Sequence, residues 1–159
     1  MATITKQGTG RYQYGGFTPD GNLTTYRATV ETLASGAVKD SNATAAPAVG
    51  DVIVLERLPQ GMVLEDAVTI VSAGLKAAVT GSLGFLYADG VDSTVAPQDA
   101  AYFGAGIDLA TVARVRATGA KAPVKLAKEA FLVLTIAGAV NDKAGRVDFI
   151  VRGERMGPL

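Results

Sequence analysis

The sequence contains no cysteine and no histidine among its 159 residues. Without cysteine the chain has no disulfide, no thiolate nucleophile and no sulfur ligand for a metal. Without histidine it has no imidazole base, no Ser-His-Asp triad and no common ligand set for zinc or copper. Only carboxylate, lysine, tyrosine or hydroxyl chemistry remains. We therefore expect a protein that is not an enzyme and that has no catalytic residue, no cofactor and no metal.

Long hydrophobic runs are also absent. No stretch approaches the roughly 18 apolar residues that cross a bilayer, and the first residues lack the apolar segment of a signal peptide. No cluster of basic residues is interleaved with aromatic ones, as a groove for single-stranded nucleic acid would require. The sequence therefore predicts neither a membrane nor a nucleic acid as a partner.

The composition, 48% hydrophobic and 19% charged, is that of a folded protein with a sizeable core, and the length suits one domain. The net charge is zero, but residues 51–110 hold 2 basic and 8 acidic side chains, whereas residues 111–159 hold 9 and 4. We favour the interpretation that loops of either sign interleave in the fold. The alternative is a head-to-tail or host-facing contact surface.

Alternating apolar and polar residues predict about eight strands. The predicted strands are residues 24–31, 51–58, 62–72, 78–87, 111–117, 121–127, 131–137 and 146–152. Residues 98–103 fit either one helical turn or a short edge strand. With no long amphipathic helix, the pattern indicates an all-β, antiparallel β-sandwich, with a jelly roll as the first choice.

Residues 131–151 read as one long hairpin with its turn at residues 141–145. In its first strand the side chains on both faces are apolar, whereas its second strand alternates between apolar and charged residues. We expect four side chains of this hairpin to be buried in a sheet formed with residues 62–72 or 78–87. They are Val133, Ile136, Phe149 and Val151.

Three segments are expected along the chain: a flexible N-terminal arm at residues 1–23, a β-sandwich domain at 24–152 that contains the loop 35–50, and a C-terminal tail at 153–159. The arm interleaves glycines with bulky side chains, so it is flexible yet able to dock. It either binds a partner or is a disordered or locally folded-back terminus, as chain ends often are. The candidate partner-binding residues are Arg11, Tyr12, Tyr14 and Phe17.

Motifs for nucleotides and metals fail on inspection. Residues 104–109 begin like a dinucleotide fingerprint, but Leu109 replaces the third glycine, so we expect a loop. Residues 80–84 lack the lysine of a phosphate-binding loop. Residues 89–93 resemble a calcium loop without the full ligand spacing. Adjacent carboxylates at Glu65 and Asp66 should point to opposite faces of a strand, which favours surface charge over acid-base catalysis.

Five stretches in the second half of the chain carry a family resemblance. They are residues 84–90 (GFLYADG), 99–103 (DAAYF), 106–109 (GIDL), 136–139 (IAGA) and 145–149 (GRVDF). Their glycines, small residues and acidic loops resemble the jelly-roll cement or decoration proteins of tailed bacteriophage capsids, over residues 50–152. The resemblance implies a protein made in the host cytoplasm that joins the outer capsid surface of the virion. It also implies contact with the major capsid protein, cementing of its neighbouring subunits, and a homo-oligomer, a dimer or trimer.

Two other functions remain open from the sequence. A sugar- or receptor-binding β-sandwich module of a virion would group exposed aromatic residues on one face, where Tyr87, Tyr102 and Phe103 are candidates. A carboxylate-dependent hydrolase would place two carboxylates across a cleft. The linear sequence decides neither arrangement.

Overall fold

The computed structural model describes residues 1–5 and 23–157, which form ten strands and no helix. Short segments rich in β-branched and aromatic residues favour strands, and glycine, proline and asparagine separate them. The strands are β1 (Thr3–Thr5), β2 (Leu23–Thr32), β3 (Val52–Leu58), β4 (Met62–Ala73), β5 (Thr80–Tyr87), β6 (Asp99–Asp108), β7 (Ala113–Arg116), β8 (Val124–Lys125), β9 (Ala130–Ala137) and β10 (Gly145–Arg155).

The strands form two sheets that pack face to face. The first sheet has the order β1-β3-β9-β5-β6, and the second has the order β2-β10-β4-β7, with β8 also paired to β4. Every pair is antiparallel except β1 with β3. Without β1 and β8, the order is that of an eight-stranded jelly roll, in which the first, eighth, third and sixth strands form one sheet. The expected antiparallel sandwich of the jelly-roll class is confirmed.

The predicted hairpin at residues 131–151 is wrong. β9 pairs with β3 and β5 in the first sheet, whereas β10 pairs with β2 and β4 in the second. The connection between them therefore crosses from one sheet to the other. The predicted burial is confirmed, because Val133, Ile136, Phe149 and Val151 are all at most 5% exposed.

Residues 99–103 belong to the edge strand β6, which settles the choice that the sequence left open for residues 98–103. The expected loop at residues 104–109 is wrong, because β6 continues to Asp108. Its pairing with β5 is irregular, with register shifts on both sides of Leu83. Gly106 has a φ of 64°, a conformation that glycine adopts without steric cost. The irregular register explains why the alternation is hidden in the sequence.

The core lies between the two sheets and is built from aliphatic and aromatic side chains of both. Phe85 and Phe149 are its largest fully buried side chains. The ring of Phe85 packs edge-on against Tyr102, with 5.6 Å between ring centroids. The hydroxyl of Tyr102 donates to the carbonyl oxygens of Leu64 and Ala122, so its burial leaves no unpaired polar group.

β1 lies within the segment that the sequence analysis assigned to the arm. Thr3–Thr5 pairs in parallel with β3 at the edge of the first sheet. The buried carboxylate of Asp51 secures this strand, because its oxygens accept hydrogen bonds from the backbone nitrogens of Ala2 at 2.6 Å and Ala48 at 2.9 Å. These two bonds lower the pKa of Asp51 below its ordinary value. At the other end of the chain, β10 extends through Arg155 into the predicted tail.

We expect the anchoring of β1 to depend on pH. Because the folded pKa of Asp51 is lowered, its stabilisation is complete above the ordinary value of 3.8 and is lost as the pH falls through the lowered pKa. The Asp51→Asn variant should therefore melt at a lower temperature than the wild type at pH 6. The two melting temperatures should converge as the pH falls through the lowered pKa. A difference that stays constant as the pH falls would contradict this role of Asp51.

Candidate docking surfaces

No group of three or more acidic, histidine or cysteine side chains that could hold a metal ion is found in residues 1–5 and 23–157. The same residues include no helix long and apolar enough to cross a membrane. The adjacent carboxylates of the sequence analysis are not a catalytic pair. Glu65 is exposed, whereas Asp66 accepts hydrogen bonds from the Nε of Arg116 at 3.0 and 3.1 Å.

The glycines at residues 80–84 serve packing within β5. A Cβ on Gly84 would lie 2.1 Å from the carbonyl oxygen of Asp99, so glycine is required where β6 crosses close to β5. The segment lies inside a sheet and lacks the lysine of a phosphate-binding loop, and both observations favour a packing role. This segment positions β6.

The aromatic side chains that a sugar-binding face would need are in the core. Tyr87, Tyr102 and Phe103 are 3%, 7% and 2% exposed. The hydroxyl of Tyr87 donates to the carbonyl oxygen of Ala96. The grouping of these three residues on an exposed face is therefore wrong.

The predicted partner-binding residues Arg11, Tyr12, Tyr14 and Phe17 lie outside the described residues. The flanking strands show where this part of the chain starts and ends. β1 is at an edge of the first sheet, and β2 is at an edge of the second. Asn42 contacts Thr5 through both its backbone nitrogen and its side-chain oxygen.

The outer face of the second sheet is charged. Arg146 donates to Glu31 at 3.0 Å and to Asp148 at 3.1 Å, and further charges follow along the neighbouring strands. The register places these charged side chains on the outer face: Arg27, Glu31, Asp66, Arg114, Arg116, Arg146, Asp148, Arg152 and Glu154. A face of this kind is solvated at low cost and is expensive to bury.

The outer face of the first sheet has an uncharged centre, which we call the apolar face. It consists of Val52, Val54, Leu86, Ala100, Phe131 and Val133. The three valines are buried, and the other three are half-buried. At the rim, Arg57 pairs with Glu129 at 2.6 Å. The buried hydroxyl of Thr135, opposite Val52 in the register, has no hydrogen-bond partner among the described residues.

A second apolar feature is the connection between β5 and β6, residues 88–98, which we call the valine loop. Val91 and Val95 are 60% and 75% exposed at its surface. Two isolated valines among turn-forming residues are the sequence signal that could have identified it.

Hydrogen bonds within the valine loop fix its conformation. One carboxylate oxygen of Asp92 accepts from the backbone nitrogens of Ser93 and Gln98, each at 2.7 Å. Asp89 accepts from the backbone nitrogen of Val91 at 3.0 Å. The carboxylates of the suspected calcium loop are therefore engaged with the backbone.

Contacts to the body of the protein hold the same loop. The Nζ of Lys128 donates to Asp89 at 2.8 Å and to the carbonyl oxygen of Val91 at 3.2 Å. The hydrogen bond from Lys128 lowers the pKa of Asp89, so this carboxylate is ionised and paired. The side-chain oxygen of Gln98 accepts from the backbone nitrogen of Tyr87 at 3.1 Å. The loop thus holds Val91 and Val95 in fixed positions.

Comparison with solved structures gives matches over most of the chain. A chain of the capsid of Ralstonia phage GP4 is 19% identical with a TM-score of 0.66, and the match covers 98% of this chain and 99% of that chain. A chain of the cyanophage Pam1 capsid asymmetric unit is 15% identical with a TM-score of 0.55, covering 91% and 92%. No protein-family model matches the sequence, and no curated protein sequence matches it. The fold is therefore shared with chains of two phage capsids.

Proposed function

We propose that this chain is a structural protein of a bacteriophage virion that binds the outer surface of the capsid and cements neighbouring subunits of the major capsid protein. One observation carries the proposal: the fold is shared over almost the full length of both chains with a chain of the phage GP4 capsid. The family resemblance of residues 50–152 agrees. The protein is not an enzyme in this proposal, and it joins the virion after synthesis in the host cytoplasm.

Cementing requires only preferential binding to the assembled shell. A protein that binds the assembled state stabilises it by mass action, in proportion to the occupancy of its sites. A shell presents many equivalent sites, so modest contacts add up when one particle binds several of them. The valine loop and the half-buried side chains of the apolar face offer contacts of this size, and neither requires a catalytic cleft.

Self-association into a dimer or trimer is part of the proposal. The half-buried members of the apolar face, Leu86, Ala100 and Phe131, support it, because an uncharged surface is buried against another subunit without the desolvation of charges. An oligomer would also bridge several capsid subunits at once.

The proposed function is tested by adding purified protein to empty heads that contain the phage's major capsid protein but lack this chain. We expect the protein to sediment with the heads in a saturable ratio and to raise the temperature at which they come apart, because it binds the assembled state. Heat-denatured protein is the control. Heads that bind no protein, or that fall apart at an unchanged temperature, would contradict the proposal.

We also propose that Arg11, Tyr12, Tyr14 and Phe17 dock onto a neighbouring chain. Deleting residues 2–17 would also remove β1, so a substitution is the sharper test. The Tyr12→Ser, Tyr14→Ser, Phe17→Ser variant should keep the melting temperature of the purified protein. It should be retained on heads at least about tenfold less well, because burial of each aromatic ring contributes roughly 2–3 kcal/mol.

The control for this arm variant is Tyr26→Ser, which alters a tyrosine of β2 that packs against the core. It should lower the melting temperature, because it removes contacts within the domain. If the arm variant instead unfolds the free protein and leaves binding to heads unchanged, the arm is an ordinary part of its own domain.

A further inference from the structure

The valine loop combines exposed apolar side chains with a fixed backbone. Its valines are well exposed, yet its backbone donates hydrogen bonds to Asp89 and Asp92 and accepts one from Lys128. Exposed apolar side chains on a mobile loop lose entropy when they bind, whereas a loop fixed beforehand avoids most of that cost. An exposed apolar tip that is held in place before binding is therefore suited to insertion into a partner.

The charges of the loop indicate what kind of partner surface fits. Asp89 is neutralised by Lys128, and the carboxylate of Asp92 is turned onto backbone nitrogens. The tip thus presents valine methyl groups beside one anion, Asp92, one oxygen of which accepts from the loop's own backbone nitrogens. The complementary surface is an apolar depression without acidic side chains.

The size of the contact decides between a second copy and the shell. Two valine side chains remove on the order of 200 Å² from water, whereas a stable interface between two free proteins buries roughly 1,200–2,000 Å². The tip alone cannot hold two free subunits together. A shell with many equivalent sites makes so small a contact effective, because an oligomer engages several sites at once.

We propose that the valine loop is the part of this protein that inserts into the outer surface of the shell, with Val91 and Val95 in an apolar depression of the major capsid protein. The inference rests on the proposed function and adds to it the surface and the chemistry of the contact. The apolar face remains available for self-association.

The test uses the double variant Val91→Ser, Val95→Ser, full length, with wild-type protein in parallel on the same empty heads. Serine removes the methyl groups and adds no charge. We expect the double variant to keep the melting temperature and the oligomer mass of the wild type. Its affinity for heads should fall at least about tenfold, as expected for the loss of two buried apolar groups.

The matched control is Val112→Ser. Val112 is 68% exposed, like the loop valines. Val112 comes just before β7, and β7 pairs with the later residues of β4. The valine loop lies beside residues 126–129, and this segment contacts Met62 at the start of β4. The control residue is thus at the opposite end of the sandwich, and Val112→Ser should bind heads as the wild type does.

A third variant, Asp92→Ala, tests the role of the fixed conformation. It keeps both valines but removes the acceptor for the backbone nitrogens of Ser93 and Gln98. We expect affinity between those of the wild type and the double serine variant. An intermediate affinity would show that the fixed conformation of the loop contributes to binding in addition to the exposed valines.

The inference and the proposed function fail in different ways. Wild-type protein that does not bind heads would overturn the proposed function. If the wild type binds and the double serine variant binds equally well, the valine loop is not the contact. A double variant that loses its oligomer mass would assign the loop to self-association and would also overturn the inference.

Discussion

Replacing Phe149 by alanine is expected to lower the free energy of unfolding by about 3–5 kcal/mol. Phe149 is fully buried, and its strand β10 is flanked by β2 and β4, with Ala28 and Thr69 as register partners. Strands on both sides fix the backbone, so the site cannot collapse around the missing ring. The free energy lost with the burial of the ring and the free-energy cost of the cavity therefore add together.

The matched control is Ile150→Ala, in the same strand at the next residue. Ile150 points to the charged outer face and is half-buried. Its truncation should cost less than half as much, because water fills the space that the side chain leaves. Chemical denaturation of both variants gives the comparison. Equal costs would show that β10 does not face the core as described.

Replacing Gly36 by alanine is expected to destabilise the protein by about 3 kcal/mol. Gly36 has a φ of 82°, where a Cβ atom is strained. The same Cβ would lie 2.0 Å from the backbone carbonyl oxygen of Asn141. The backbone on one side must therefore move, and Asn141 is a buried residue that holds two other segments.

The network around Asn141 explains why this movement is costly. Its side-chain nitrogen donates to the hydroxyl of Thr32 and to the carbonyl oxygen of Lys143, and its side-chain oxygen accepts from the backbone nitrogen of Lys76. Displacing Asn141 strains these bonds together. Buried polar groups that lose their partners cost about 1–3 kcal/mol each.

The control for Gly36→Ala is Gly50→Ala. Gly50 has a φ of 91°, but no atom lies within 4 Å of the position of an added Cβ. Only the conformational strain applies there, so a cost of about 1–2 kcal/mol is expected. Denaturation of the two variants separates strain from collision. Equal costs would show that the approach of Gly36 to Asn141 is not a close one in solution.

The burial of individual strands could be predicted from the sequence, but their partners could not. Apolar residues at both parities of β9 and charged residues at alternate positions of β10 were recognised. This difference between β9 and β10 is itself evidence that the two strands belong to different sheets, because the outer face of the first sheet is apolar and the outer face of the second is charged. Adjacency in the chain favoured a hairpin, whereas the pairing depends on contacts between distant segments.

The remaining discrepancies also depend on distant contacts. Thr3–Thr5 is too short to show an alternation of apolar and polar residues. It forms a strand because it pairs with β3 and because Asp51 accepts a hydrogen bond from the preceding residue. The two isolated valines of the valine loop are visible in the sequence, but the contact of Lys128 that holds the loop is made by a distant segment. Tyr87 and Tyr102 are candidates for an exposed aromatic face in the sequence, but in the structure their hydroxyls donate to backbone carbonyl oxygens within the core.

The most direct test of the central claim is a cryo-EM reconstruction of the virion that carries this protein. We predict density for the ten-stranded sandwich on the outside of the shell, across the boundary between neighbouring subunits of the major capsid protein. The valine loop should face the shell in that density. Density for the sandwich inside the shell, in the tail, or nowhere in the particle would contradict the account.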